Sequence, residues 1–139
     1  MATEYNVEIS VTLRPVGQPW VKVSAGPIHK TLQLNQATEI QFDFDYSENF
    51  VLAVEHFGKP DLDPDTAVEI TDVKIFGISD PKFAWKGTYW PNYPEHLSGS
   101  NASIPAQTYL SWNGVYKLSV SVPVFTWIHR TLDMGWIYD

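Results

Sequence analysis

The sequence predicts an all-β fold, an antiparallel β-sandwich or jelly roll, from three observations. Apolar and polar residues alternate with a period of two in several segments, as in strands that bury one face. Proline, glycine and asparagine lie between these segments, as in turns. Helical periodicity is confined to a short stretch near the C-terminus. A closed barrel is the alternative arrangement of the same strands.

Six predicted strands occupy the first half of the chain, and turn residues separate most of them. Segment 50–57 is almost continuously apolar, which is typical of a strand covered on both faces. In the last of these strands the alternation slips by one residue between Ile70 and Val73, which predicts a β-bulge. The six ranges are 7–13, 20–23, 32–34, 40–44, 50–57 and 68–78.

Residues 79–113 interrupt this pattern, because they contain four prolines and no convincing period. We expect one long aromatic-rich loop here, and a connection of this length in a compact domain is often functional. Residues 114–122 give the clearest strand, residues 124–134 a short C-terminal helical turn, and residues 136–138 a last short strand. The length of 139 residues predicts one domain, residues 1–139.

Charge narrows the range of partners. Sixteen acidic residues against nine basic ones give a formal net charge of -7. Nucleic acids and anionic membrane surfaces both attract clusters of basic side chains, so we expect neither as a partner. The absence of cysteine excludes a disulfide framework and a thiolate zinc site. The first residues lack the pattern of a signal peptide, so we expect none.

Recognised catalytic patterns are missing from the sequence. The motifs G-x-S-x-G, G-x-G-x-x-G and the Walker motif do not occur. The histidines do not stand at the short spacing of a zinc site, so each is interpreted as structural. We therefore expect that the protein is not an enzyme. The histidines are His29, His56, His96 and His129.

Aromatic residues concentrate in the long predicted loop. Rigid rings can stack on the apolar face of a pyranose while polar neighbours bond its hydroxyl groups. We predict that such rings bind a polysaccharide or surface glycan here. The alternative is that they pack as a lid over one open end of the sandwich, with their polar tips satisfied. The predicted carbohydrate-binding residues are Trp85, Tyr89, Trp90 and Tyr93.

Three acidic residues alternate in the loop between two predicted strands. Asp61, Asp63 and Asp65 could converge on one calcium ion (Ca²⁺), which binds several oxygen ligands. The loop is not an EF-hand, because a glycine at its sixth position and flanking helices are missing. The alternative is an exposed acidic turn in which aspartate side chains bond the backbone.

Residues 5–78 resemble the calcium-dependent, xylan-binding group of small β-sandwich carbohydrate-binding modules. The similarity lies in an apolar Val-Leu-Ala-Val strand, an acidic loop and a strand reading Ala-Val-Glu-Ile-Thr-Asp-Val-Lys-Ile-Phe-Gly. The resemblance implies calcium ligands in loops that read sugar hydroxyls through the ion. It transfers those roles to Asp61, Asp63 and Asp65.

The C-terminal half resembles small proteins of tailed bacteriophages that infect marine cyanobacteria. The similarity lies in the sequences Gly-Thr-Tyr-Trp-Pro-Asn-Tyr-Pro, Tyr-Leu-Ser-Trp-Asn-Gly and Val-Pro-Val-Phe-Thr-Trp. It implies a virus-encoded sandwich, virion-associated or in the host cytoplasm. We therefore predict a non-catalytic, calcium-assisted carbohydrate-binding module. The alternative is a homo-oligomeric phage structural or assembly protein with the aromatic loop at its interface, since interfaces enrich aromatic residues.

Overall fold

Strands dominate the fold. A computed structural model describes residues 5–60, 62–63, 65–92 and 103–132. In that part of the chain, no helix is long and apolar enough to cross a membrane. The strands are β1 (Tyr5–Val16), β2 (Trp20–Ala25), β3 (Ile28–Gln33), β4 (Thr38–Tyr46), β5 (Phe50–Phe57), β6 (Ala67–Ile75), β7 (Ile78–Ser79), β8 (Thr88–Pro91), β9 (Ile104–Pro105), β10 (Tyr109–Leu110) and β11 (Gly114–Val120). The helices are α1 (Pro81–Trp85) and α2 (Val124–Thr131).

The strands form two antiparallel sheets. Sheet A has the order β10–β6–β1–β4, and β7 pairs with β6. Sheet B has the order β3–β2–β5–β11–β8–β9. The two sheets have separate pairing paths, so the predicted β-sandwich is confirmed and the barrel alternative is wrong.

The core lies between the sheets because strand alternation sends every second side chain inward. In β1, Val7, Ile9 and Val11 are buried while the residues between them are mostly polar. Each buried aliphatic side chain of this kind stabilises the fold by about 1.5–3 kcal/mol. The pairing of β1 with β6 shifts register at Thr12, leaving Thr71 without a partner across β1. This irregularity confirms the bulge predicted in β6.

The segment expected to be one long loop contains short regular elements where it is described. Asp80 caps the N-terminus of α1: its side chain accepts a hydrogen bond from the Lys82 amide at 2.8 Å, and Pro81 is the first helical residue. Strand β8 then pairs with β11. These elements have five and four residues respectively, which is too short for a period to be recognised.

Helix α2 confirms the helical turn predicted near the C-terminus. Val124 and Ile128 are buried against the core. The Trp127 ring stacks on the Phe83 ring of α1, with centroids 5.6 Å apart and planes inclined by 17°. The two helices therefore pack against each other. The strand predicted at residues 136–138 lies outside the described residues.

Candidate functional site

The outer face of sheet B presents aromatic and charged side chains in one row. Trp90 on β8 lies opposite Val115 on β11, and Val115 lies opposite Glu55 on β5. Glu55 in turn lies opposite Lys22 on β2. Trp90 is 50% exposed. The row therefore crosses four strands and carries a carboxylate and an ammonium beside an open indole.

A second aromatic group lies one row away on the same face. Trp20 lies opposite Phe57, with ring centroids 6.2 Å apart and planes inclined by 40°. Trp20 is 43% exposed, and it shares its face with Lys22 because residues two apart on a strand point the same way. Three strand spacings of about 4.8 Å across the sheet and two residues of about 3.4 Å along β2 separate the Trp20 and Trp90 backbones, roughly 16 Å in all. We call this surface the sheet B platform: Trp20, Lys22, Glu55, Phe57, Trp90 and Val115.

The platform offers both apolar ring faces and hydrogen-bonding groups. Lys22 and Lys117 are exposed donors, and the half-buried Glu55 is an acceptor. Lys117 lies opposite Thr88, two residues along β8 from Trp90. A ligand with CH-rich faces and a rim of hydroxyl groups could stack on the rings and bond these side chains.

A cleft of about 220 Å³ opens at the end of the platform. Trp20 and Phe57 line it on the platform side, and His56 lines it from the inner face of β5. Lys59 and Asp63 line it from the loop that follows β5. The platform and the cleft are therefore continuous through Trp20 and Phe57.

Lys59 fixes the loops around this cleft. Its nearly buried ammonium donates to the backbone carbonyls of Thr66 and Ser111, each at 2.6 Å. It also lies 3.9 Å from the centroid of the Trp112 ring. The Asn113 side chain bonds both the amide and the carbonyl of Lys59. Burial lowers the pKa of Lys59, and the nearby carboxylates of Asp63 and Asp65 act in the opposite direction.

Asp63 stabilises its own turn. Its Oδ1 accepts hydrogen bonds from the amides of Asp65 and Thr66, at 3.0 and 3.1 Å. Its Oδ2 accepts one from the Thr66 hydroxyl at 2.5 Å. These hydrogen bonds lower the pKa of Asp63 to about 2, and the bond from the Thr66 hydroxyl has the largest effect. The Asp63 carboxylate therefore stabilises its own turn by hydrogen bonding, as the acidic-turn alternative predicts.

The predicted calcium site is not assembled by the described residues. Within residues 5–60, 62–63, 65–92 and 103–132, no three histidine, aspartate or glutamate side chains lie close enough to hold a metal ion. Asp65 is exposed, and Asp61 lies outside the described residues. The three-aspartate calcium site therefore stays a prediction, because one of its three members, Asp61, is not among the described residues.

The structure separates the aromatic residues predicted to bind carbohydrate. Trp90 belongs to the sheet B platform. Trp85, 54% exposed, ends α1 and lines a depression of about 300 Å³ beside Glu69 and Thr71 of sheet A. Tyr93 lies outside the described residues. Trp85 and Trp90 therefore lie on two separate surfaces, although they are only five positions apart in sequence.

The structure corrects the interpretation of Tyr89 as a stacking residue. Tyr89 is 1% exposed, because it alternates with Trp90 along β8 and takes the inner face. Its hydroxyl donates to the Trp112 carbonyl at 2.5 Å and accepts the Trp112 amide at 3.2 Å. The ring has no free face for a sugar, so for Tyr89 the packing alternative holds.

Sequence reasoning missed Trp20 and Phe57. The alternation of exposed Trp20 and Lys22 with buried Val21 and Val23 would have placed Trp20 on an outer face. Phe57 ends the apolar run that predicted a strand covered on both faces. In the structure Val51 at the other end of that strand is exposed, so this prediction was wrong.

Two solved structures resemble this fold. The structure of vCBM60 in complex with galactobiose matches with a TM-score of 0.56 and 15% identity, covering 82% of this chain and 97% of that chain. A selenomethionine form of vCBM60 matches with a TM-score of 0.55 and 15% identity, covering 81% and 89%. It comes from work on circular permutation as an evolutionary link between two families of calcium-dependent carbohydrate binding modules.

Sequence comparison adds no relative. No protein-family model matches the chain, and no curated protein matches it. The resemblance to bacteriophage proteins stays a prediction, because neither matched structure bears on it. At 15% identity the likeness establishes the fold, a β-sandwich like that of vCBM60.

Proposed function

We propose that the protein is a non-catalytic carbohydrate-binding domain that holds a neutral glycan on the sheet B platform. The observation that carries the proposal is that two exposed indoles, Trp20 and Trp90, lie on one sheet face, with Glu55 on a strand between them and Lys22 beside Trp20 on β2. The fold it shares with vCBM60, solved with galactobiose, supports a glycan as the ligand.

The expected affinity is weak. Each aromatic contact contributes on the order of 1 kcal/mol beyond area burial. Two such contacts with a few exposed hydrogen bonds correspond to dissociation constants of about micromolar to millimolar. The net charge of -7 disfavours acidic polysaccharides, so we propose neutral ones.

Calcium assistance is a separate hypothesis within this proposal. One of the two matched structures comes from work on calcium-dependent modules. In this chain, however, the Asp63 carboxylate accepts hydrogen bonds from its own turn. We therefore assign the binding energy to the platform rings and expect a chelator to leave glycan affinity unchanged. Calorimetry of chelator-treated protein with millimolar calcium tests the ion separately. A heat of calcium binding in the wild type that is absent from both the Asp61→Asn and the Asp65→Asn variant would support the predicted calcium site.

A glycan array followed by tryptophan fluorescence titration tests the proposal. Trp20→Ala and Trp90→Ala should each weaken binding of the selected glycan about fivefold or more. Trp85→Ala is the matched control, since it removes an equally exposed indole beside sheet A. A loss confined to Trp85→Ala would move the site to the depression beside Glu69. The absence of any bound glycan would refute the proposal.

An assembly role is the second candidate, and the surface that favours it lies outside the aromatic loop predicted to form the interface. The Phe125 ring is exposed and stacks on Phe76, with centroids 4.9 Å apart. Together with Tyr46, Val122 and neighbouring residues these rings line an apolar groove of about 480 Å³. Light scattering tests this alternative. A stable oligomer that Phe125→Ser converts to monomers, without loss of glycan binding, would support a subunit interface there.

A further inference from the structure

The wall of the cleft beside Trp20 includes His56, a buried residue whose Nε2 no described residue bonds. We infer that this cleft receives one sugar unit of the glycan, and that a hydroxyl of that unit donates a hydrogen bond to His56 Nε2. The inference rests on the proposed function, because the sugar unit belongs to a glycan that lies on the sheet B platform. It makes His56 a specificity-determining residue of the site.

His56 is held in one orientation. Its ring is fully buried, and Nδ1 lies 3.1 Å from the backbone carbonyl of Leu110. A neutral imidazole that donates from Nδ1 keeps a lone pair on Nε2, so Nε2 is an acceptor. Burial lowers the pKa of His56, and the neighbouring Lys59 charge adds to this effect. The neutral, Nδ1-protonated form is therefore the one present at pH 7.

Nε2 is the buried side-chain polar atom that stands without a hydrogen bond among the described residues. Buried polar atoms in proteins are almost always bonded, and leaving one unbonded is costly. His56 lines the cleft with none of its surface exposed, so a ligand hydroxyl reaches Nε2 through a small displacement of the cleft wall. A ligand hydroxyl that enters in this way supplies the hydrogen bond that Nε2 lacks among the described residues.

The cleft suits a neutral polyol rather than an ion. Lys59 and Asp63 both line it, and their charges cancel. The Lys59 ammonium already bonds two carbonyls and faces the Trp112 ring. The Asp63 carboxylate already accepts three hydrogen bonds from its own turn. A phosphate or an amine would therefore find no unengaged counter-charge there, whereas a hydroxyl group would find Nε2.

The position of the cleft connects it to the platform. Trp20 and Phe57 line the cleft and also belong to the outer face of sheet B. The amides of Gln18 and Gln33 lie on the same rim, and Gln33 Nε2 donates to the Gln18 carbonyl at 3.1 Å. A glycan that stacks on Trp20 can therefore place its next unit in the cleft, against the wall that His56 helps to form.

Nitrogen-15 NMR of the imidazole rings tests the inference in the unmodified protein. Galactobiose and xylotetraose at millimolar concentration are the probes. We expect the His56 Nε2 resonance to move on titration, while that of the exposed His29 stays in place. Movement of the Trp20 indole signal without movement of His56 Nε2 would overturn the inference and keep the platform. If neither signal moves with either probe, both the inference and the platform proposal fail for these glycans.

Two variants of His56 distinguish the roles of its two ring nitrogens. His56→Asn can keep an amide donor near Nδ1 for the Leu110 carbonyl, but it removes the acceptor at Nε2. His56→Gln reaches further and can present its carbonyl oxygen where Nε2 was. We expect about tenfold weaker binding of the probe glycans for Asn and a smaller loss for Gln. Wild-type affinity in a folded His56→Asn variant, checked by circular dichroism, would overturn the inference. If that variant fails to fold, the NMR titration decides.

Discussion

Gly87 lies directly against the ring of Tyr116, so closely that a Cβ atom on Gly87 would overlap the ring. Tyr116 is fully buried on β11, and its hydroxyl donates to the Ala84 carbonyl at 2.5 Å. The Ala106 amide donates to the Gly87 carbonyl at 2.8 Å. This contact therefore ties α1 to sheet B just before the strand that carries Trp90.

Replacing Gly87 with alanine tests the importance of this contact. The added methyl group must displace the Tyr116 ring, so we expect the free energy of unfolding to fall by about 1–3 kcal/mol in urea titrations. Gly77→Ala is the control, because a Cβ at Gly77 meets nothing within 4 Å and strains its positive φ alone. Equal losses in the two variants would argue against the steric explanation.

Tyr89→Phe tests the correction of Tyr89 from a binding residue to a core residue. The variant loses the hydroxyl that bonds both the amide and the carbonyl of Trp112. We expect a loss of about 1–2 kcal/mol in the free energy of unfolding and unchanged glycan affinity. Tyr109→Phe, on an exposed ring, should change neither quantity by more than about 0.5 kcal/mol. Weaker glycan binding at unchanged stability would return Tyr89 to the site.

Lys59→Met tests the role of the buried ammonium. The methionine fills similar space but leaves the carbonyls of Thr66 and Ser111 without their donor. We expect the free energy of unfolding to fall by about 1–3 kcal/mol. Lys22→Met, at an exposed position on the platform, should stay within about 0.5 kcal/mol of the wild type. A Lys59→Met variant as stable as the wild type would contradict the proposed role in fixing the loops.

The pH dependence of stability tests the Asp63 turn. The pKa of Asp63 falls from 3.8 to about 2 on folding, so its ionised form stabilises the folded state. Its contribution should be complete above pH 3.8 and should disappear as the pH falls towards 2. The difference in unfolding free energy between wild type and Asp63→Asn, measured across this range, should shrink accordingly. Thr66→Val removes the hydroxyl whose hydrogen bond lowers the Asp63 pKa most. The unfolding free energy of this variant should therefore change less with pH than that of the wild type. A difference that is constant with pH would refute the assignment.

The fold was predictable because its long strands repeat a simple pattern. Strand β1 alternates Val7, Ile9, Val11 and Leu13 with more polar residues, and each apolar member is buried. The bulge in β6 was visible for the same reason. Strand β8 was not, since its four residues cannot display a period and its position depends on pairing with β11.

The site was predicted in part, because sequence spacing carries no information about long-range strand pairing. Trp85 and Trp90 are close in the chain, yet the turn at Gly87 leaves one beside sheet A and the other on sheet B. Trp20 and Trp90 are 70 positions apart and reach one face through β5 and β11. Local composition therefore indicated Trp90 as a candidate, and it could not show that Trp20 lies on the same face.

The alternation of outward and inward side chains on the strands of the sheet B platform affects how easily its surface could be altered by substitution. Each outward side chain alternates with a core residue on the same strand, as Lys22 alternates with Val21 and Val23. Exchanging outward residues leaves the inner ones in place, and most such surface exchanges alter stability by less than about 0.5 kcal/mol. One backbone could therefore acquire new specificities by substitution alone, without inserted loops, which makes this sandwich a suitable scaffold for engineered lectins.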